Sequence, residues 1–167
     1  LDFNGATKYI NGTVAQETLS MSFRLNYTIN PNLTIQYWGQ PFISKGVYTD
    51  FKQVVDPLAK TFNARIDTYG PNQISFANDI YAVDEDLDGT TDYSFNNPDF
   101  SFTQFRSNLV VRWEYKPGSE IFLVWSQDLS SSGNPSEGLF KTLENNLLGD
   151  IKPKNIFLLK ATYRFVL

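Results

Sequence analysis

The chain contains no cysteine and no histidine among its 167 residues. Without them it cannot form a disulfide, a Ser-His-Asp or Cys-His catalytic arrangement, or a zinc site of the usual nitrogen and sulfur type. It also lacks an imidazole for acid–base catalysis near neutral pH. Because so many catalytic mechanisms are excluded, we expect a protein without enzymatic activity.

Positive charge is scarce, since 14 Lys and Arg face 18 Asp and Glu for a net charge of -4. The basic residues form no cluster of the kind that binds phosphates, so we expect no nucleic-acid partner. No apolar run approaches the roughly 18 residues that a transmembrane helix needs. A membrane β-barrel remains compatible, because its strands need only about 10 residues with one apolar face. Mean hydropathy then stays negative, as it is here at -0.31.

What the sequence does contain is alternation of apolar and polar residues. The clearest case is residues 18–29, where every second residue is apolar. Alternation with a period of two predicts a β-strand with one apolar and one polar face. Such patterns predict strands long enough to cross a membrane at about residues 13–29, 33–44, 100–115, 120–129 and 155–167. The predicted fold class is all-β and antiparallel.

The connections between these strands alternate between short and long. Residues 30–32 and 116–119 form tight turns, whereas residues 45–99 and 130–154 form long polar excursions. Short periplasmic turns and long extracellular loops are typical of outer-membrane barrels. We therefore interpret residues 1–167 as a single segment of a transmembrane outer-membrane β-barrel with long extracellular loops.

Three local elements are predicted inside the excursions. The pattern predicts a short helix near residues 50–58 and an extra hairpin across residues 69–72. One or two helical turns are predicted from the spacing of Leu139, Phe140, Leu143 and Leu147.

Five aromatic residues fall near the predicted periplasmic ends of the strands: Tyr27, Trp113, Tyr115, Tyr163 and Phe165. An aromatic girdle is expected at that level of a membrane barrel. The same side chains would also suit the core of a soluble β-sandwich, so both interpretations stay open.

Several longer runs resemble a known family. They are residues 37–44, 97–102, 105–119 and 155–160, of which the most specific piece is Arg-Trp-Glu-Tyr-Lys-Pro-Gly-Ser at residues 112–119. From about Thr18 onward the chain resembles the C-terminal β-barrel region of the Bacteroidota outer-membrane family catalogued as domain of unknown function 5916. The resemblance implies a bacterial outer-membrane location and a barrel architecture more than it implies an activity.

Relatives in that family carry, ahead of the barrel, a periplasmic module similar to family 9 carbohydrate-binding domains, which is absent from these residues. This association makes a glycan a candidate ligand. The aromatic residues Trp38, Phe42, Tyr48 and Trp125 could stack on sugar rings, and they are equally well explained as lipid-facing or girdle residues.

The best metal signal is the acidic run at residues 84–92. Oxygen side chains at alternate positions, with Gly89 as the bend, match the start of an EF-hand calcium loop. The twelfth position is Phe95 instead of the bidentate Glu, so a full EF-hand is not present. We predict weak calcium binding, with a solvated acidic turn as the alternative. The candidate ligands are Asp84, Asp86, Asp88, Thr90 and Asp92.

Charged residues on the polar side of the strands predict a lumen charge cluster. Its members are Arg24, Arg106, Arg112, Glu114, Lys160 and Arg164. A mostly basic group inside a barrel could attract an anionic solute. The alternative is that these residues pair with carboxylates on neighbouring strands, because an unpaired charge in a narrow lumen is costly.

Together these observations predict part of an outer-membrane barrel that handles or senses an extracellular solute or glycan, or serves in a surface assembly with other outer-membrane proteins. A soluble carbohydrate-binding β-sandwich and a surface glycan hydrolase are the alternatives. Bacterial barrels have at least about 8 strands and close on themselves, so we expect membrane lipid and the remaining N-terminal strands of the same barrel as partners. In the other arrangement, residues 6–10, 73–82 and 92–95 supply the strands that close a small barrel alone.

Overall fold

A computed structural model describes residues 2–3, 6–149 and 152–165, and its strands pair antiparallel. The expected all-β, antiparallel class is confirmed. Residues 166 and 167, at the end of the last predicted strand, lie outside the described residues. The strands are β1 (Asp2–Phe3), β2 (Ala6–Thr7), β3 (Ile10–Ser20), β4 (Phe23–Asn30), β5 (Leu33–Val54), β6 (Ile66–Thr68), β7 (Ile74–Ala77), β8 (Ile80–Val83), β9 (Tyr93–Asn96), β10 (Phe100–Lys116), β11 (Ser119–Ser132) and β12 (Lys154–Ala161). The helices are α1 (Phe62–Arg65) and α2 (Leu139–Leu148).

The larger sheet has the strand order β12-β11-β10-β5-β3, with β4 and β6 also paired to β5. Two tight turns organise it. Asn32 donates its backbone N–H to Asn30 Oδ1 over 2.9 Å, which closes the turn between β4 and β5. Gly118, at φ 76, supplies the left-handed residue of the Pro-Gly turn between β10 and β11.

The strand predicted at residues 13–29 is two strands, β3 and β4, because Met21 and Ser22 leave the regular ladder. Met21 still donates its N–H to the Pro41 carbonyl over 3.1 Å. The helix predicted at residues 50–58 is wrong, since β5 continues through Val54. Residues 52–54 pair with β6, and this pairing outweighs the local helix signal.

A smaller sheet has the order β7-β8-β9. The hairpin predicted across residues 69–72 is wrong: a turn is present there, but the flanking strands β6 and β7 pair with β5 and β8. The actual hairpin turns at Asn78 and Asp79, whose φ values of 52 and 65 are tolerated by these two residue types. The helical turns predicted around Leu143 are confirmed as α2.

The chain divides into two compact units. The first comprises Leu1–Gln16 and Gly46–Asp99, and the second comprises Glu17–Lys45 and Phe100–Leu167, so β3 and β5 contribute residues to both. Buried apolar side chains are few in the part of the chain that the structure covers: Phe51, Val83 and Tyr93 in the first unit, Ile43 and Leu129 in the second. Neither α1 nor α2 is long and apolar enough to span a membrane.

Among the described strands, the larger sheet is open. β12 has β11 as its neighbour, and β3 has β5, so the strand order does not return on itself. Residues 73–82 and 92–95, which were candidates for closing a small barrel, correspond to β7, β8 and β9 of the separate sheet instead. The third candidate, residues 6–10, contains β2, which pairs with β1. The described strands therefore do not close a barrel by themselves.

Candidate functional site

The second unit contains a sheet with two chemically different faces. Leu109 lies opposite Trp125, which lies opposite Phe157, and in the next row Leu123 lies between Val111 and Leu159. Because successive residues of a strand point to opposite sides, these odd-numbered residues share one face. We call it the apolar face. The even-numbered side of the same strands, which carries the charged residues as well as one apolar row of Val110, Val124 and Leu158, we call the polar face.

On the apolar face the side chains of β12 and Leu123 are exposed, whereas Leu109, Val111 and Trp125 are half-buried. Leu123 is 44% exposed, Phe157 68% and Leu159 70%, and on β4 both Leu25 and Tyr27 are 58% exposed. In a β-sandwich the apolar faces of two sheets pack together and these residues would be buried. Among the described residues, no second sheet covers Leu123, Phe157 and Leu159.

The five predicted girdle residues lie at the turn end of this sheet. Trp113 and Tyr115 contact each other at 6.0 Å between ring centroids, and Tyr163 and Phe165 at 4.7 Å. Tyr115 Oη donates to the Thr162 carbonyl over 3.2 Å, which joins β10 to the segment after β12. Tyr27 lies near the turn of β4 and β5, and the Asn32 carbonyl of that turn accepts from Glu114 N over 2.8 Å. The five residues therefore share one end of the sheet.

Ion pairs organise the polar face. Arg106 Nε lies 3.2 Å from Asp128 Oδ1, directly across the strand pair. Arg112 donates its Nε–H to Glu120 Oε1 over 2.9 Å and lies 3.7 Å from Glu114. Because the Arg106 and Asp128 side chains are 58% and 48% exposed, that pair adds little stability.

The other cations of the predicted lumen cluster have different surroundings. Lys160 Nζ lies 5.8 Å from the centroid of the Phe122 ring. Arg164 donates its backbone N–H to Ser119 Oγ over 3.0 Å, beside the β10–β11 turn. Arg24 lies opposite Trp38 and borders a cavity of about 270 Å³. Thus the six residues do not form one cluster but are distributed over several rows.

The acidic run is in the first unit, between β8 and β9. Carboxylate oxygens of Asp84, Asp86 and Asp88 all lie within 4.8 Å of one another. Gly89 donates its N–H to Asp84 Oδ2 over 2.9 Å, and this bend brings the carboxylates together. The carboxylates of three of the five predicted ligands therefore lie close together, and their oxygen atoms are of the kind that calcium prefers.

Thr90 and Asp92 have other partners. The hydroxyl and N–H of Thr90 both donate to Asp88 Oδ1, and these hydrogen bonds lower the pKa of Asp88 from its usual value. Asp92 Oδ2 accepts the N–H of Glu85 over 2.7 Å, so it closes the base of the loop.

A polar network beneath this loop was missed by the sequence analysis. Lys8 Nζ lies 2.7 Å from Glu85 Oε2, and Tyr93 Oη donates to Glu85 Oε1 over 2.6 Å. The hydroxyls of Tyr93 and Tyr69 share a further hydrogen bond of 2.7 Å. Lys8 and Glu85 are 77 residues apart in sequence, so no local spacing signals the pair.

The network shifts the acidities of its members. Burial raises the pKa of Glu85, but hydrogen bonds from Lys8 and Tyr93 and the charge of Lys8 together lower it below its usual value. The pKa of Tyr93 is raised, first by burial and then by its hydrogen bonds to Glu85 and Tyr69. Glu85 is therefore held as a carboxylate and anchors the loop from within.

The four aromatic residues considered for sugar stacking lie in different places. Trp125 is on the apolar face, and Phe42 contacts Phe102 at 6.3 Å. Tyr48 lines a cavity of about 210 Å³ in the first unit. Trp38 is on the polar face opposite Arg24 and lines the larger cavity of the second unit.

Comparison with curated proteins and with solved structures finds no match to this chain. The family model described as domain of unknown function (DUF5916) matches residues 3–166. That match includes the two-faced sheet, both tight turns and the acidic loop. The chain therefore belongs to the DUF5916 family.

Proposed function

We propose that this chain forms part of a β-barrel in the bacterial outer membrane, where it acts without enzymatic activity. The observation that carries the proposal is the exposure of the apolar face, with Phe157 and Leu159 at 68% and 70%, beside a polar face that contains the ion pairs. Lipid would cover the apolar face, and the polar face would line the interior. This is the alternation expected of a membrane barrel.

The energetics of burial favour this orientation. Apolar surface left in water costs about 25 cal/mol per Å², so a sheet with several exposed aromatic and aliphatic rows needs a cover. The acyl chains of the lipids would cover this apolar surface, so that no second sheet is needed. The charged side chains of Arg106 and Arg112 would then stay in an aqueous interior with their carboxylate partners.

The turns give the proposed orientation across the membrane. The turns at residues 30–32 and 117–118 lie at one end of the strands, near Tyr27, Trp113 and Tyr163. Short turns belong to the periplasmic side, and aromatic rings are favoured at the level of the lipid headgroups. We place the long connections after β5 and β11 on the extracellular side.

The larger sheet ends on β12 at one side and on β3 at the other, and in the described part of the chain each pairs with one neighbouring strand. Every residue of β12 is exposed, including apolar Phe157 and Leu159 on the lipid side. An unpaired strand edge in hydrocarbon is not tolerated, because its N–H and C=O groups lack partners. We propose that other strands of the same barrel pair with β12 and β3.

In this membrane context we propose that the protein handles an extracellular solute, with a glycan as the leading candidate, or serves in a surface assembly with other outer-membrane proteins. We also propose that the carboxylates of Asp84, Asp86 and Asp88 bind calcium weakly at the cell surface. Their mutual approach within 4.8 Å supports this part of the proposal.

Dependence on detergent tests the membrane proposal against the soluble β-sandwich. The intact protein should float with phosphatidylcholine vesicles in a density gradient and aggregate when detergent is withdrawn. Substituting Leu123→Glu and Leu159→Glu together should reduce flotation, whereas Ser126→Glu on the polar face should not. A monomer that stays soluble without detergent and ignores vesicles would contradict the proposal.

A further inference from the structure

The cavity beside Trp38 is built by side chains of three adjacent strands of the polar face. On β4 and β5, Arg24 lies directly opposite Trp38, and Asn26 lies opposite Gln36. Asn108 of β10 also lines the cavity. The cavity is open on one side and measures about 270 Å³. This is close to the lower end of the range for sites that hold small organic ligands.

The charge of this cavity is positive. Its lining contains Arg24 and no carboxylate. Within the described residues Arg24 has no ion pair, in contrast to Arg106 and Arg112. A guanidinium that faces a cavity without a carboxylate partner favours a planar oxyanion, since it can donate two parallel hydrogen bonds to one.

The remaining groups suit a ring that carries hydroxyls. Trp38 Nε1 donates to Ser22 Oγ over 3.1 Å, which fixes the orientation of the indole beside the cavity. The amides of Asn26, Gln36 and Asn108 can each donate and accept hydrogen bonds. Asn108 lines the cavity, and its Oδ1 is buried without a hydrogen-bond partner in the described part of the chain.

A second cavity adjoins the first on the polar face. It measures about 260 Å³ and shares Trp38 and Asn108 with the first. Its lining includes the cations Arg106 and Lys154 and the single carboxylate of Asp128. The positive excess therefore extends over both cavities and is not confined to Arg24.

We propose that the cavity beside Trp38 binds an anionic saccharide, with the carboxylate of a hexuronate unit on Arg24, its ring beside Trp38 and its hydroxyls on the amides of Asn26, Gln36 and Asn108. The inference deepens the proposed function and rests on it in one respect, since the polar face must be reached by water and solute. The solutes would then be acidic sugars, and Arg24 would select for their charge.

Titration calorimetry of the intact protein in detergent micelles tests this site with D-glucuronate as the probe. We expect saturable binding of glucuronate and at least tenfold weaker binding of D-glucose, which lacks the carboxylate. Arg24→Gln should weaken glucuronate binding at least tenfold, and Arg24→Lys should weaken it less because the charge is kept. Trp38→Leu should weaken glucuronate and glucose alike.

Arg164→Gln is the matched control, because it removes an arginine outside the cavity and should leave binding unchanged. Near-ultraviolet circular dichroism of each variant checks that the fold is kept. Equal affinities of the wild type and Arg24→Gln, or no saturable heat from glucuronate, would overturn the inference. If vesicle flotation persists in that case, the membrane proposal stands and only the ligand assignment fails.

Discussion

Trp125 stacks on Phe157 across neighbouring strands, with ring centroids 5.9 Å apart and an interplanar angle of 9°. The Trp125 indole N–H donates to Asn155 Oδ1 over 2.8 Å, and Asn155 lies opposite Gln127. On this face, therefore, a row with Gln127 and Asn155 lies between the indole and the apolar pair of Phe105 and Leu129. An indole with its ring on apolar neighbours and its N–H on a polar group suits a membrane interface.

A charge on the apolar face should be far more costly than one on the polar face. Leu123→Arg is expected to lower the free energy of unfolding in vesicles by about 2 kcal/mol, because Leu123 lies one row inside the girdle at Trp113, between the interface and the middle of the bilayer. Ser126→Arg, on the neighbouring polar face, should change it by less than about 1 kcal/mol. Denaturant titration of both variants measures the difference, and equal losses would contradict a lipid-facing apolar face.

Arg112 should stabilise the sheet because its positive charge offsets the repulsion between two carboxylates. Glu114 lies directly opposite Glu120, and Arg112 contacts both carboxylates. Arg112→Met should destabilise the protein by about 1 kcal/mol, because like charges directly opposite each other repel. Adding Glu120→Gln should restore part of that loss, whereas Arg164→Met should have little effect. A double-mutant cycle in denaturant would show no coupling if the contacts were energetically silent.

Acid should destabilise the first unit through Glu85. The pKa of Glu85 is lowered in the folded chain relative to its usual value of 4.5, so its contribution is fully present above that value. The stability is lost as the pH falls through the lower pKa of the folded state. Thermal unfolding from pH 6 downward should therefore be less pH-dependent in Glu85→Gln than in the wild type. Glu144→Gln, at an exposed position, is the control and should keep the wild-type pH dependence.

Calcium should bind to the acidic loop with millimolar affinity. Calorimetry of the intact protein should detect heat from calcium, and Asp86→Ala should abolish it because one of the three converging carboxylates is removed. Asp67→Ala, an exposed carboxylate outside the loop, should leave the heat unchanged. No heat at millimolar calcium, or equal heat in Asp86→Ala, would defeat the calcium proposal.

Regular alternation predicted the main strands well, because period two directly reflects which side chains share a face. Residues 23–29 and 105–115 are strands for this reason. The pattern was misleading around Phe51, where a distant partner strand and an aromatic cluster with Tyr81 and Phe95 override the local helix signal.

Of the candidate sites, the acidic loop could be predicted from the sequence, whereas the Lys8–Glu85 pair and the cavity beside Trp38 could not. The approach of Asp84, Asp86 and Asp88 follows from short spacing around a glycine bend. The bond between Lys8 and Glu85 joins residues 77 positions apart, and the cavity between Arg24 and Asn108 requires three strands in register. No local sequence pattern indicates either arrangement.

A spin-label scan along residues 121–125 tests most directly whether lipid covers the apolar face. The chain has no cysteine, so a single thiol introduced at each position provides one labelling site within it. In the intact protein in lipid vesicles, labels at 121, 123 and 125 should collide with dissolved oxygen and labels at 122 and 124 with an aqueous nickel complex. Collision rates without this alternation, or odd-numbered labels open to the nickel complex, would contradict the account.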